Sequence, residues 1–365
     1  MNKTQTKFEG LLSEYFEGVL QDNPTYATVV GLSEGEGKLG TAGLEFEQRQ
    51  ENRRRRTLAR LETLSPRDLT NEQHVDRLAL RSQLLHGSED FQRGRHRLEP
   101  NALDHVLNIL LHELIRSEDE PKRAARNVRS LLDRAPQFLD QAVTLIDRPE
   151  PVWRKIMEQT AAGAPSLLEA VKTFLGRVEP APGDIPRIAA TQKSISKYRD
   201  KVSGRPPAKE GSFAVGASML QRRVRDELGL DYTLGEIEAL AQAEVARVGS
   251  LLHDACRKLA PRKQAEEIIG EARSRWEPGT DLVAMYRAQT KRLVAAFKSA
   301  QAVSFPPNES LEVRLVPEFM RHLFPTAAYS QPGALEKRQR GIFWVNDLSV
   351  TKKTETEKRW GRSLA

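Results

Sequence analysis

Apolar residues at helical spacing recur along most of this chain, and that pattern most narrows what it can fold into. Between residues 101 and 116 they are Leu103, Val106, Leu107, Leu110, Leu111 and Leu114. Spacing of i, i+3, i+4 and i+7 lays one apolar stripe along a helix and leaves the other side polar. Residues 8–20 repeat it with Phe8, Leu11, Leu12, Tyr15, Phe16, Val19 and Leu20. Residues 71–86 read as a helix with Val75, Leu78, Leu84 and Leu85 inward and Gly87 as its stop. Helix formers dominate Leu44 to Leu64.

Prolines punctuate the array. Pro24 stands just inside a short helix that Gly31 closes, and Pro121, Pro151 and Pro165 open others. Pro136 should divide or kink its helix, because an internal proline removes a hydrogen bond and clashes with the preceding turn. Further helices fit residues 187–201 and 216–228. Thr233-Leu234-Gly235-Glu236 fits a capping box, and the helix it opens would turn Ile237, Leu240, Val245, Val248, Leu251 and Leu252 inward. Thr280-Asp281 can cap a last helix carrying Val283, Tyr286, Leu293, Val294 and Phe297. No fixed period marks a repeat family.

The pattern changes after Pro306-Pro307. Leu311–Val316 alternates apolar and polar as a half-exposed strand does, and Gly341–Asn346 is β-branched and aromatic. Ala328-Tyr329 suggests a third strand. The expected fold is therefore mainly α, a multi-helix array with a small β-sheet near the C-terminal end. Glu179–Pro186 is the best linker candidate, giving regions 1–178, 187–303 and 304–365. The last would end in a polar tail, Ser349 to Ala365, without an apolar stripe to anchor it.

With 39% hydrophobic residues over 365 positions, the chain can bury a core without disulfides. Its lone Cys256, set among Leu251, Leu252, Ala255 and Leu259, reads as a packed thiol in a reducing compartment. No apolar leader follows Met1 and no apolar stretch is long enough to span a bilayer, so a cytoplasmic protein without a membrane partner is expected. The net charge of +7 arises from 57 basic residues interleaved with 50 acidic ones, which points to a mixed, solvated surface. Arg53, Arg54, Arg55 and Arg56 would point all round a helix beside Glu45, Glu47, Glu51 and Glu62, so no nucleic-acid partner is expected from them.

The search for chemistry returns little. Zinc hydrolases on helices use His-Glu-x-x-His, which puts two imidazoles on one face with the Glu as base. His112-Glu113 starts such a motif, but its fourth position is Arg116, a cation that would repel the metal. Asp104-His105 and His253-Asp254 are sequence neighbours, and neighbours in a helix do not face each other. No glycine-rich phosphate loop, nucleophile elbow or paired-cysteine motif occurs. The residues alone give no catalytic set, no metal ligand and no cofactor.

Phe8-x-x-Leu11-x-x-x-Tyr15-Phe16, then Asn23-Pro24-Thr25-Tyr26-Ala27-Thr28 and Gly31-Leu32, resembles the bacterial family called domain of unknown function 885. Gly229-Leu230-Asp231-Tyr232-Thr233 is similar to it too, as are Val313-Arg314-Leu315-Val316-Pro317-Glu318, Ala328-Tyr329-x-x-Pro332 and Gly341–Asn346. The order and spacing of these pieces along nearly the whole chain carry the resemblance, which makes the three regions parts of one family domain.

The resemblance implies a helical zinc peptidase of the carboxypeptidase or dipeptidase kind, with a His-Glu-x-x-Pro-Gly-His-His motif shortly after the segment matched by Phe343 to Asn346. No such motif occurs in the sequence, so no ligand or base carries over. The expectation is the N-terminal part of a truncated metallopeptidase-like hydrolase, inactive alone, with zinc only in intact relatives. Tyr329 and Asn346 are the substrate-cleft candidates, with Trp344 read as core. An exposed apolar surface would then be covered by a C-terminal fragment or a second copy. The alternative is a non-enzymatic helical binding or scaffold protein.

Overall fold

The computed structural model describes residues 2–275, 281–305, 307–317, 321, 324 and 326–347. The expected cap residue Thr280, Glu318, His322 and the tail from Ser349 lie outside the described residues. Among those described, thirteen α-helices precede three strands, a mainly helical chain with a small sheet near the C-terminal end. The helices are α1 (Lys3–Asp22), α2 (Pro24–Val29), α3 (Leu44–Glu62), α4 (Asn71–Gln92), α5 (Arg95–Leu98), α6 (Ala102–Arg116), α7 (Pro121–Ala142), α8 (Pro151–Val178), α9 (Asp184–Ser203), α10 (Ala217–Leu228), α11 (Leu234–Leu259), α12 (Ala265–Arg275) and α13 (Leu282–Ser299). The strands are β1 (Ser310–Leu315), β2 (Ala327–Ser330) and β3 (Arg340–Val345). The chain forms two compact units, 1–234 and 235–365.

In the first unit α1, α3 and α4 close over Phe8, Leu11, Leu61, Leu80 and Leu84. The buried face of α4 is not the expected one. Val75 and Leu78 are exposed, while Gln73, Arg77, Leu80 and Leu84 turn inward. Polar groups tolerate burial when they have partners. Gln73 donates to Glu9 at 2.7 Å and Arg77 reaches Glu62 at 3.4 Å, so partners chose the face that hydropathy did not. Gly87 does not stop α4 either. It is a notch: a Cβ there would lie 2.7 Å from Cδ of Arg54. The arginine run is held partly within its own helix, with Arg54 and Arg55 on buried Glu51 at 3.1 and 2.6 Å and Arg56 on the Asn52 carbonyl, while Arg53 reaches Asp22 at the end of α1 at 2.5 Å.

The helices α6, α7, α8 and α9 pack against one another in the same unit. Two expected breaks are absent, since α7 runs through Pro136 and α8 through Pro165. Proline at 136 withdraws the amide that would bond the Leu132 carbonyl one turn back. Thr191 of α9 supplies the missing donor, its hydroxyl bonding that carbonyl at 3.2 Å in a buried setting. Of the stretch expected as a linker, Glu179–Pro186, residues 179–183 are a turn between packed helices and the rest begins α9. Arg129 of α7 donates to the Glu179 carbonyl and, at 2.8 Å, to Asp184.

In the second unit β3 is central, parallel to β1 and antiparallel to β2, with Val313 opposite Phe343 and Tyr329 opposite Phe343. Asp281 caps α13 through the Ala284 amide at 2.9 Å. The helix packs on the sheet around Leu282, Val313 and Val345. Cys256 is a free, buried thiol. The inward stripe expected for α11 is exposed instead: Leu240, Val245, Val248, Leu251 and Leu252 are between 47% and 74% accessible. Leu293 and Phe297 of α13 are exposed as well. Periodicity identifies an apolar face but not whether anything covers it.

The Pro136–Thr191 pairing has a checkable consequence. Thr191→Val should cost roughly 1–3 kcal/mol by leaving a buried carbonyl unpaired. In a Pro136→Ala background the restored amide takes over, so the same substitution should cost less than half as much in urea melts. Equal costs in both backgrounds would show the hydroxyl to be incidental.

Candidate functional site

The zinc chemistry implied by the resemblance can be tested on the histidines. His74 and His253 are exposed on different helices. His86 is buried on α4, with Nδ1 3.1 Å from Glu89. His96 stacks on Phe91 at 4.8 Å, its two ring nitrogens shielded from solvent and without a partner. His105 stacks on Phe138 at 5.0 Å and places Nε2 3.2 Å from the Leu39 carbonyl. A carbonyl only accepts, so Nε2 carries the proton and Nδ1 is the bare nitrogen. Among the described residues no group of three or more His, Cys, Asp or Glu is placed to hold a metal. The residues described do not fit a zinc ion, and no step is derived through one.

His112 and Glu113, the incomplete motif, sit in a packed seam between α6 and α7. Burial, with the Arg116 charge adding to it, pushes the His112 imidazole down to about 4, so it is neutral near pH 7. Burial pushes the Glu113 carboxyl up to about 7, against the Asn127 hydrogen bond. Asn127 donates to Glu113 Oε2 at 3.2 Å and to Glu36 at 3.1 Å, while Glu36 is paired with Arg123. Glu113 Oε1 is buried without a partner. This pair is part of a helix-joining network.

The two cleft candidates do not converge. Tyr329, at 57% exposure, lies on β2 with its ring over Gly341, where an added Cβ would meet Cε2 at 2.7 Å. Asn346 follows β3 and is buried, its side-chain amide donating to the Arg321 and Phe324 carbonyls at 2.7 Å each. Trp344 is fully buried, its indole N–H donating to Ser330 at 2.9 Å. Asn346 and Trp344 thus fix the loop and sheet, and Tyr329 stands on the face of an edge strand.

A cavity of about 570 Å³ in the first unit was not legible in the sequence. Its walls come from α3, α4, α5, α6, α7 and α9, and include Glu47, His96, Asp104, His105, Phe138 and Tyr198. The Tyr198 hydroxyl is bonded to the Ala102 backbone at the start of α6, and burial raises the phenol pKa. Asp104 accepts from Thr160 at 2.9 Å. The adjacent pair Asp104-His105 was the one sequence signal here, and it reads as two neighbours on a helix until α7 and α9 enclose it.

The family model described as bacterial protein of unknown function, DUF885, matches residues 24–363. This chain belongs to that family. No curated protein matches the chain. Among solved structures, a candidate lipoprotein of unknown function from Shewanella oneidensis has the DUF885 chain's fold at a TM-score of 0.69 and 16% identity, over 98% of this chain and 67% of its own. A candidate lipoprotein from Colwellia psychrerythraea is similar at a TM-score of 0.63 and 12% identity, over 95% of this chain and 68% of its own. These likenesses show the fold alone.

Glu113 gives a pH test of the seam. Its folded pKa of about 7 exceeds the ordinary 4.5, so its contribution is complete below pH 4.5 and is lost as pH rises through 7. Glu113→Gln removes that loss. Relative to the parent protein, the variant should gain roughly 1–3 kcal/mol between pH 5 and pH 8 in urea unfolding. A parent–variant difference that stays constant over this range would mean that Glu113 is ionised throughout.

Proposed function

We propose that this chain forms the helical body and substrate-aligning sheet of a zinc peptidase-like protein of the carboxypeptidase or dipeptidase kind, inactive until a metal-binding segment packs on it. The observation that carries this reading is the exposed apolar face of α11. At 100° per residue, Leu240, Val245, Val248, Leu251, Leu252 and Leu259 fall within an arc of about 140°. Contiguous apolar surface of this kind marks an interaction site. The two structural neighbours each have about a third of their length outside the match, which supplies a precedent for further chain packing on this fold.

The occupant proposed is a helix bearing His-Glu-x-x-Pro-Gly-His-His, the motif the resemblance implies. The part assigned to this chain is alignment. Among the described residues β2 is an edge strand with no strand beyond it beside Tyr329, the arrangement by which a sheet takes an extended peptide. A cytoplasmic location belongs to the same proposal, supported by the single unpaired cysteine. No helix among the described residues is long and apolar enough to cross a membrane.

The test uses the full chain and a synthetic motif-bearing segment from a longer family member. The chain alone should bind a dye that reports apolar surface. Val245→Lys with Leu252→Lys should remove the dye signal with little change in the melting midpoint, because both positions are exposed. The segment should bind the parent and bind the double variant at least tenfold more weakly. A monodisperse chain that binds neither dye nor segment would favour the scaffold alternative.

A further inference from the structure

We propose that the cavity of the first unit is a binding site for a small organic cation, an amine or guanidinium group carried on a flat apolar body. This does not rest on the peptidase reading, because the cavity lies wholly within residues 22–198. Its volume, about 570 Å³, falls in the range of small-molecule sites.

Charge selects the class. The wall holds five carboxylates, Asp22, Glu47, Asp90, Glu99 and Asp104, against the guanidinium groups of Arg54 and Arg95. Three of the acids are paired: Asp22 with Arg53, Asp90 with Arg223 and Arg95, and Glu99 with Arg95. Glu47 and Asp104 have no cation partner. The Asp104 carboxylate has only the Thr160 hydroxyl. The Glu47 carboxyl has no hydrogen bond, and the Arg54 charge that acts on it is held at Glu51, 3.1 Å away. Burial raises the Glu47 pKa, the state of a carboxyl that a bound cation would stabilise as its anion. Of these two half-buried carboxyl groups, Glu47 is opposed only by the Arg54 charge that Glu51 holds and Asp104 by no cation among the described residues, so the pair disfavours anions and leaves neutral ligands without a charge partner.

The remaining lining selects shape and polarity. Two stacked pairs in the wall, Phe91 with His96 and His105 with Phe138, give flat apolar surfaces, one from α4 and α5 and the other from α6 and α7. Burial lowers the pKa of both histidines, so near pH 7 each is neutral and has one bare nitrogen. For His105 that nitrogen is Nδ1, since Nε2 donates to Leu39. The acceptors that the wall offers a ligand are thus the carboxyl oxygens of Glu47 and Asp104, and a ligand must bring donors to meet them. Aromatic faces add attraction for a cation.

Titration calorimetry on the full chain tests this with three molecules of one shape: tyramine as cation, 4-ethylphenol as neutral analogue and 3-(4-hydroxyphenyl)propionate as anion. Tyramine should bind saturably, 4-ethylphenol at least tenfold more weakly, and the anion should give no heat. Glu47→Gln and Asp104→Asn should each weaken tyramine at least fivefold and leave 4-ethylphenol unchanged. That second ligand separates lost charge from a collapsed cavity. Lys298→Ala, on α13, should bind tyramine as the parent does. Equal affinity for cation and neutral analogue, no tyramine binding at millimolar concentration, or variants that bind tyramine as the parent does would each overturn the proposal.

Discussion

The seam between α7 and α9 is the contact on which the first unit depends. The two helices pack on each other, and Val128, Leu131, Leu132, Ala135 and Leu139 of α7 and Ile195, Tyr198 and Val202 of α9 are all buried. Packing alone would not hold α7 straight there, because Pro136 leaves the Leu132 carbonyl without its helical partner. Thr191 answers that vacancy from the neighbouring helix. A buried carbonyl lacking any donor costs more than most single contacts return. The one hydroxyl therefore couples the continuity of α7 to the docking of α9. The same docking brings Tyr198 against the start of α6 and closes the wall that also carries Phe138.

Polar groups decide more of this fold than its apolar stripes suggest. Glu51 is 3% accessible, and Arg54 and Arg55 converge on it from three and four residues on, one turn along the same helix. Glu150 is fully buried at the start of α8, where its carboxylate takes the amides of Val152, Trp153 and Gly211. A carboxylate at a helix N-terminus is favoured by the free amides and the dipole together. Here it also ties the loop before α10 to α8. Each of these residues would be assigned to the surface by residue type.

The two units differ in how their apolar residues are used. In the first, the stripe of α1 meets α3 and α4, and those of α6, α7, α8 and α9 meet one another. In the second, a small core around Leu282, Val313 and Val345 joins α13 to the sheet, while the leucines and valines of α11 are exposed. The exposed face is the strongest physical reason to read this DUF885 chain as part of a larger assembly. The cavity, by contrast, is complete within its own unit.

The sequence by itself determined the elements. The helical class, the three strands and the cap at Asp281 follow from spacing and local hydrogen bonding, which act within a few residues. The pairing of Arg54 and Arg55 with Glu51 was legible for the same reason, whereas that of Arg53 with Asp22 was not. Only the tertiary structure decided which face of α4 is buried, that Pro136 breaks nothing, that Asn346 faces carbonyls rather than a cleft, and that α11 stands uncovered. It alone placed Glu47, His96, Asp104 and His105 around one cavity. Each of those outcomes depends on a partner tens of residues away, such as Thr191 for Leu132 or Glu9 for Gln73. A stripe or a motif records what a residue can offer, while the partner that accepts it is set by the packing of other elements.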